Sequence, residues 1–415
     1  MSVTPLTVIL LVLGAATALV IPWPLAAGLM VATAAASAVD AWLVRNPPAV
    51  DRRLPPVMSR GVPAPFSIEA SPGVEVMQPG GPGLAVVPGH GRGRVEGVLE
   101  ASTRGLHELQ PVASRTTGPL GLGAWHHQEG DIVEIAVFPD LPAARRVAAA
   151  VRTGRFGEEG RSVRGPIGLG TEFESIRDYS PDDDFRHLNW RATARAGRPM
   201  SNTYRLDQDR DVICMIDHGR LMAAPVGNGG SVATRLDHAV DAVAAIAAVA
   251  DEIGDRVGAV AFAGTVDRMV VPRRRGGDAV LAAIFDLEPS RTDSDYERAF
   301  HTVVNSKRAM VVILTDLLDE AAATPLARAV PVLARHHALI VGGVRDLALE
   351  SLVVQPAGDL SEATKTAAAV DLLEGRDRTI AALANTGATV IDAEPRRLAA
   401  MCVSAYLRAK RSARL

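Results

Sequence analysis

The first 44 residues constrain the fold of this chain most, because they contain a single charged side chain, Asp40. An apolar run over residues 3–20 is separated by a break at residues 21–24, Ile-Pro-Trp-Pro, from a second run over residues 25–44. A helix that crosses a bilayer needs about 20 predominantly apolar residues. The sequence therefore predicts two transmembrane helices within residues 1–45, joined by a Pro-Trp turn.

The residues that flank these runs predict the topology. No Lys or Arg precedes the first run and the second follows directly, which argues against a cleaved signal peptide. Arg45, Arg52, Arg53 and Arg60 follow the second run. The positive-inside rule then predicts a plasma (inner) membrane protein with two spans and its soluble bulk in the cytoplasm.

Residues 46–61 hold four prolines and several arginines, a composition typical of a linker. From residue 62 to 140 the pattern changes to short alternating runs, such as FSIEA and RVEGVLEA, between Gly/Pro clusters. Period-two alternation at this close spacing predicts antiparallel strands and a small β-sandwich-like domain.

After residue 205, apolar strands alternate with helical segments. Residues 211–217 and 308–316 are apolar runs that each end in Asp, and an Ala/Val-rich helix is predicted between Thr234 and Gly254. This alternation predicts an α/β fold with a doubly wound, mostly parallel sheet. Ligands of such sheets bind at the carboxyl ends of the strands, so Asp217 and Asp316 are expected to converge there. Residues 347–415 are predicted to complete the domain as helix–strand–helix with a basic tail.

Composition excludes several function classes. A net charge of −3 gives no bulk attraction to nucleic acid. The two cysteines, Cys214 and Cys402, lie far apart in apolar runs, which indicates a reducing compartment and no disulfide framework. GxxxxGK[ST], GxSxG and HExxH motifs are absent from the sequence, so no catalytic residue is predicted.

Residues 141–205 contain the most distinctive stretch, GLGTEFESIRDYSPDDDFRHLNWRATAR at 168–195. Acids and arginines alternate there with large aromatic side chains, a pattern that predicts a fixed ion-pair network instead of a solvated tail. Two interpretations stay open. In the first, the stretch is an interdomain clamp or a partner-binding element. In the second, its acidic cluster at 172–184 belongs to a hydrolase.

This stretch, with DRDVICMIDHGRLM at 209–222, resembles the domain-of-unknown-function 58 (DUF58) family of membrane-anchored bacterial proteins. Two positions depart from the family pattern, Asp182 where glycine is common and Asn189 where Asp is common. The resemblance implies a von Willebrand factor A-like domain over residues 206–346 and the frequent context of such proteins, a MoxR-type AAA+ ATPase. The motif residues to which it assigns an interdomain or partner-binding role are Glu172, Phe173, Arg177, Tyr179, Asp183, Asp184, Arg186, Trp190 and Arg195.

The resemblance also raises the question of a metal. Type A domains that bind Mg²⁺ use an Asp-x-Ser-x-Ser turn, a distant Thr and a distant Asp. Asp217, Thr292 and Asp316 match three of these positions, but Gly219 and Leu221 replace both serines. Because Mg²⁺ prefers oxygen ligands, the sequence predicts a degenerate Mg²⁺ site. The alternative is that both aspartates cap turns.

These observations lead to one expected function and two alternatives. The expected function is a membrane-tethered protein-interaction or assembly module that acts with a MoxR-type AAA+ ATPase in the maturation of other complexes. The alternatives are a hydrolase that uses the acidic cluster 172–184, and a structural cell-envelope protein. The sequence does not identify the client proteins.

Overall fold

The computed structural model describes residues 1–153, 172–180, 185–205, 210–226, 233–304 and 306–411, without the side chains of residues 172–174, 186 and 203–205. The chain divides into two compact units, Met1–Val137 and Phe138–Leu415.

The first unit begins with a short strand and two helices, β1 (Ser2–Val3), α1 (Pro5–Thr17) and α2 (Trp23–Leu43). Of the helices in the described ranges, α2 is the one that is long and apolar enough to cross a membrane. The 13 residues of α1 span only about 20 Å, less than the hydrocarbon core of about 30 Å. One candidate membrane helix is therefore present, and the second span stays a prediction.

The rest of this unit consists of antiparallel strands around one apolar core, as predicted for residues 62–140. The core forms because alternate residues of each strand point inward, for example Val95 and Leu99 of β8. The predicted linker, residues 46–61, contains two strands, and Val50 of the first pairs with Ala70. The sheets are ordered β1-β11-β10-β5-β7, β2-β4-β8-β6 and β3-β12-β9. The strands are β2 (Val50–Arg53), β3 (Met58–Ser59), β4 (Ala64–Ala70), β5 (Glu75–Met77), β6 (Leu84–Val87), β7 (His90–Arg92), β8 (Arg94–Ala101), β9 (Gly105–Leu109), β10 (Val112–Thr117), β11 (Gly123–Glu129) and β12 (Val133–Phe138).

Asp40, the one charge in the apolar N-terminal region, binds α2 to the loop between β10 and β11. It is fully buried, and its carboxylate accepts hydrogen bonds from the backbone N–H groups of Leu120 (2.9 Å), Leu122 (2.8 Å) and Gly123 (3.0 Å). The Ser37 hydroxyl donates to the Leu122 carbonyl at 2.9 Å. A Cβ at Gly123 would lie 2.2 Å from the Ser37 carbonyl oxygen, so this close approach requires glycine.

The second unit contains a six-stranded sheet, ordered β17-β16-β15-β18-β19-β20, in which only β17 runs antiparallel to its neighbour. This confirms the predicted mixed α/β class with a parallel-rich sheet. The elements are α3 (Leu141–Arg152), β13 (Glu172–Asp178), α4 (Trp190–Ala196), β14 (Met200–Arg205), β15 (Asp211–Asp217), α5 (Arg235–Ile253), β16 (Arg256–Phe262), β17 (Val266–Arg274), α6 (Gly277–Ile284), α7 (Tyr296–Val304), β18 (Met310–Leu314), α8 (Glu320–Ala334), β19 (Ala338–Val344), α9 (Leu347–Val354), α10 (Leu360–Asn385), β20 (Thr389–Ala393) and α11 (Leu398–Arg411).

Local sequence signals explain the central strand and helix. Residues 212–217 of β15 are all buried, because helices cover both faces of the sheet. Helix α5 begins with a capping box, in which Thr234 and Asp237 bond each other's backbone N–H groups, and it ends at Gly254 with φ of +83°. Small alanines on α3, such as Ala144 and Ala148, are buried in the same core as α5.

A buried ion pair fixes the last helix. Lys410 lies within the predicted basic tail, yet its Nζ atom lies 2.6 Å from Asp255 and both side chains are almost fully buried. Tyr406 also donates to this carboxylate, and the backbone N–H of Arg210 donates to its other oxygen at 3.1 Å. Asp255 and Arg210 directly precede β16 and β15, so the cluster ties α11 to the amino ends of the central strands.

We expect Asp40→Ala to destabilise the first unit by about 3 kcal/mol, because one buried and two part-buried N–H groups lose their acceptor. The thermal unfolding midpoint of the full chain in detergent, measured by intrinsic fluorescence, checks this. The matched control is Thr33→Ala in the same helix, since that hydroxyl bonds the Leu29 carbonyl of α2 itself. Equal midpoints for the two variants would contradict the conclusion that Asp40 holds α2 to the loop between β10 and β11.

Candidate functional site

Asp217 ends β15 at the carboxyl edge of the sheet and is 3% exposed. Four donors satisfy its carboxylate. One oxygen accepts the N–H of Gly219 at 2.8 Å and the hydroxyl of Ser294 at 2.5 Å. The other accepts the hydroxyls of Tyr296 at 3.0 Å and Thr315 at 2.6 Å. A buried carboxylate needs such donors, since an unpaired one would lose its hydration without compensation.

Backbone hydrogen bonds place the Ser294 hydroxyl beside Asp217. The N–H of Ser290 donates to the His218 carbonyl at 2.6 Å, and the N–H of Arg220 donates to the Thr292 carbonyl at 3.0 Å. These bonds tie the loop before α7 to the turn after β15. A Cβ at Gly219 would lie 2.1 Å from the Ser294 hydroxyl oxygen. The Ser294 hydroxyl thus occupies the space of a side chain at position 219.

Tyr296 acts as a donor in this network. Burial raises the pKa of its phenol well above the ordinary value, and the neighbouring Asp217 carboxylate raises the pKa further. The hydroxyl therefore stays protonated and can donate to Asp217, while Thr315 lies 2.8 Å from the same phenol oxygen.

The second predicted acid, Asp316, contacts a buried arginine. It follows β18, and its carboxylate lies 2.8 Å from an Nη atom of Arg235 at the start of α5. The same guanidinium lies 3.4 Å from Asp346, which follows β19. Burial raises the pKa of Asp316, and the charge of Arg235 opposes that rise. One protein cation thus bridges two acids from neighbouring strands.

Thr292, the third predicted ligand, lies in the same loop, but the structure places its hydroxyl away from Asp217. Its Oγ1 lies 2.9 Å from the Ser290 hydroxyl and 3.3 Å from the N–H of Gly264. Sequence reasoning missed Ser294, Tyr296, Thr315 and Arg235. The features of the sequence that could have identified these four residues were weak. Ser294 stands two residues beyond Thr292, and Thr315 directly precedes the predicted Asp316.

These residues do not fit a divalent metal. Both oxygens of Asp217 are engaged by protein donors, and Asp316 is engaged by Arg235. Positions 219 and 221 supply no hydroxyl oxygen, whereas Mg²⁺ needs near-octahedral oxygen ligation. Among the described residues, no group of three or more His, Cys, Asp or Glu side chains is placed to hold a metal ion. These protein contacts argue against the Mg²⁺ site that the resemblance implied at Asp217, Thr292 and Asp316, and a metal titration tests the point directly.

A cavity of about 330 Å³ opens beside Asp217. Arg220 and Asp293 form an ion pair at its wall, and the apolar side chain of Leu221 also lines it. Its lining residues are Asp217, Arg220, Leu221, Asp293, Ser294, Tyr296, Asp319, Ala321, Ala322 and Pro325.

The second candidate feature is the signature arm, which we define as β13, a 3-10 turn at Phe185–His187, α4 and β14. β13 and β14 pair as an antiparallel two-stranded sheet. Phe185 and Trp190 form an edge-to-face pair with ring centroids 5.8 Å apart, yet they are 66% and 65% exposed. The sequence predicted these large side chains as anchors of a clamp, but neither is buried within the described part of the chain.

Asn189, one of the two residues noted above as departing from the family pattern, caps α4. Its side-chain oxygen accepts the N–H of Ala192 at 2.9 Å, and its Nδ2 donates to the Asn202 side chain at 2.7 Å. An aspartate could make only the first of these bonds, because an ionised carboxylate has no donor. Asn189 therefore links α4 to β14.

The other motif residues are only partly accounted for. Asp183 and Asp184 lie outside the described residues, as do the side chains of Glu172, Phe173 and Arg186. Arg177 and Arg195 are exposed and Tyr179 is half-buried. The ion pair that the structure does show in the arm joins Asp178 to Arg198 at 3.1 Å, a pairing that the sequence analysis did not name.

Residues 175–380 match the family described as protein of unknown function DUF58. The match covers about half of the chain and includes the signature arm from Ser175 onward. It also includes Asp217, Arg235, Ser294 and Asp316. The N-terminal helices and the β-rich unit lie outside the DUF58 match.

Three relatives of part of the chain are described as uncharacterised proteins. The chain is 29% identical over 157 residues to uncharacterised proteins of Mycobacterium bovis and of two Mycobacterium tuberculosis strains. The aligned part is 36% of this chain and 48% of each relative, so the chain spans about half the length of the curated relatives it matches.

We expect the full chain to bind neither Mg²⁺ nor Mn²⁺ at the carboxyl edge, because protein donors and Arg235 already satisfy its carboxylates. Isothermal titration should give no heat at millimolar metal, and EDTA should leave the unfolding midpoint unchanged. The comparison variant is Asp217→Asn. Heat that appears in the parent protein and disappears in this variant would show a metal site and overturn the conclusion.

Proposed function

We propose that this chain is a membrane-tethered protein-interaction module and that the signature arm is its partner-binding element. The observation that carries the proposal is the exposed aromatic pair, Phe185 and Trp190. Large apolar rings cost free energy in water, and Trp is among the residues that contribute most to protein interfaces.

The composition around the pair supports a protein partner. Arg191 and Arg195 lie four residues apart on α4 and are both exposed. Interfaces are enriched in aromatic residues and arginine, and hot spots combine the two. The arm is also internally fixed, since Asn189 links α4 to β14 and Arg198 pairs with Asp178. A fixed arm loses less conformational entropy on binding than a disordered one.

The carboxyl-edge site supports a scaffold role for the sheet. Its carboxylates are held by donors and by an internal arginine, and the network contains neither an activated nucleophile nor a paired general base. The alternative function, a hydrolase, would use the acidic cluster 172–184. Most of the acidic side chains of that cluster lie outside the part of the chain that the structure describes. The exposed pair of Phe185 and Trp190 therefore favours the interaction role over the hydrolase.

The partner class comes from the family resemblance. DUF58 proteins often occur with MoxR-type AAA+ ATPases, and we propose such an ATPase as the protein that the arm binds during the assembly of other complexes. We further propose a von Willebrand factor A-like fold for residues 206–346. The parallel-rich sheet and the position of Asp217 at a strand end support this assignment.

We propose that the N-terminal helices span the membrane twice, with the soluble bulk in the cytoplasm. The apolar side chains of α1 and α2 are largely exposed, for example Val12 at 64% and Val31 at 68%, and lipid would cover them. Arg45 and Arg53 follow α2, in agreement with a cytoplasmic C-terminal side.

The partner role is tested by replacing both rings of the arm. Membranes that hold the tagged full chain are treated with a short cross-linker, and captured proteins are identified by mass spectrometry. We expect a MoxR-type ATPase with the parent chain and about tenfold less with Phe185→Ala/Trp190→Ala, because buried aromatic hot spots contribute 2 kcal/mol or more.

The matched control is Leu360→Ala, which removes an apolar side chain that is 85% exposed on a different element. It should leave capture unchanged. Capture of no such ATPase by the parent chain, or equal capture by the double variant, would count against the arm as the binding element.

The proposed orientation makes a separate prediction. Alkaline phosphatase fused after Leu415 should be inactive and a fluorescent protein at the same point should be bright, since the phosphatase needs an oxidising compartment to form its disulfides. The opposite pattern would place the soluble bulk outside the cytoplasm and remove a cytoplasmic ATPase as partner.

A further inference from the structure

One face of the five-stranded sheet in the first unit carries a row of charged side chains. In the strand register His126 is opposite Arg115, Arg115 is opposite Glu75, and Glu75 is opposite Arg92. Directly opposite residues of antiparallel strands share one face. The four side chains therefore form one row across β11, β10, β5 and β7, which we call the charged row.

The charged row has an excess of positive charge. Glu75 accepts from Arg92 at 2.8 Å through one carboxylate oxygen and from Arg115 at 3.2 Å through the other. The hydrogen bond from Arg92 lowers the pKa of Glu75, as does that from Arg115, so this acid is ionised at neutral pH. One carboxylate thus serves two guanidinium groups, each of which has five N–H donors. Arg92, Arg115 and Glu75 together therefore carry a net positive charge.

An open groove of about 540 Å³ follows the charged row. Met77 and Ala113 lie opposite each other in the neighbouring register position, and Met77 is 53% exposed. His90 pairs with Met77 on β7. The groove therefore combines an apolar floor with cationic side chains.

The charged row begins next to the apolar N-terminal helices. The Nε2 atom of His126 lies 2.8 Å from the Ser2 hydroxyl, and Ser2 belongs to β1, which pairs with β11 and leads into α1 at Pro5. Adjacent strands lie about 4.8 Å apart, so Arg115 is one strand from His126. The headgroup layer of a bilayer is about 5–7 Å deep on each side. A bilayer that receives α1 and α2 brings this layer to β1 and to His126, the end of the row that is next to the helices.

We propose that this groove binds the phosphate headgroup of an anionic phospholipid, with Arg92 and Arg115 contacting the phosphate and Met77 and Ala113 contacting the glycerol carbons. Guanidinium groups match phosphate oxygens in bidentate geometry. The continuity of the row with the apolar helices favours a lipid over a soluble acid. The inference rests on the membrane placement in the proposed function.

Native mass spectrometry of the detergent-solubilised full chain tests this proposal, with equal amounts of phosphatidylglycerol and phosphatidylcholine added. The parent chain should retain phosphatidylglycerol preferentially. Arg92→Gln and Arg115→Gln should each reduce that preference about fivefold, the expected effect of one arginine at an anionic surface. The matched control is Arg94→Gln on β8, where the arginine is 65% exposed compared with 68% for Arg92 and pairs with Glu96.

A gain-of-function variant covers the case in which an arginine variant folds poorly. Glu75→Gln removes the one acid of the charged row and should increase phosphatidylglycerol retention, with folding checked by circular dichroism. An unchanged preference in the folded Arg92, Arg115 and Glu75 variants would overturn the proposal. Displacement of the lipid by millimolar inorganic phosphate would instead identify a free-phosphate site, and displacement by polyglutamate an acidic-peptide site. Either result would also overturn it.

The two proposals can fail separately. Phe185→Ala/Trp190→Ala should leave the lipid preference unchanged, since neither ring belongs to the first unit. A parent chain that captures no ATPase but keeps its lipid preference would therefore affect only the partner role in the proposed function. Retained capture with no lipid preference would affect only the lipid proposal.

Discussion

Buried carboxylates need donors or cations, and this requirement explains the main fixed points of the protein. Asp217 is satisfied by one backbone N–H and three hydroxyls, and Asp316 by Arg235. Asp255 is satisfied by Lys410 and Asp40 by three backbone N–H groups. Each acid joins elements that are distant in sequence, so the partners of these acids fix how the elements pack.

The carboxyl edge shows how this requirement relates to the metal question. Here Arg235 supplies a protein cation between Asp316 and Asp346, and the Ser294 hydroxyl fills the space beside Gly219. Removing one member of such a set leaves a buried group unpaired, whereas the complete set needs no ion. Residues from other loops thus complete the set of partners at the carboxyl edge.

The sequence predicted the parts of this arrangement that depend on local pattern. Apolar runs and turn residues placed β15, β18 and the helix between Thr234 and Gly254, and strand-end positions brought Asp217 and Asp316 to one edge. Partners that come from distant loops could not be predicted, because nothing local distinguishes Ser294 from Thr292 as the hydroxyl that reaches Asp217. For the same reason, Asp40 appeared only as an interruption of an apolar run.

The signature arm differs from these fixed points in one physical respect. Its backbone is fixed by Asn189 and by the pairing of β13 with β14, but its two rings remain about two-thirds exposed. Rings exposed to this extent contribute little burial within the chain, and exposed apolar patches are typical of interaction surfaces. Rigid support combined with exposed rings is the arrangement that lowers the entropic cost of binding. The arm therefore combines a backbone that its own residues hold together with two side chains that the described residues leave largely uncovered.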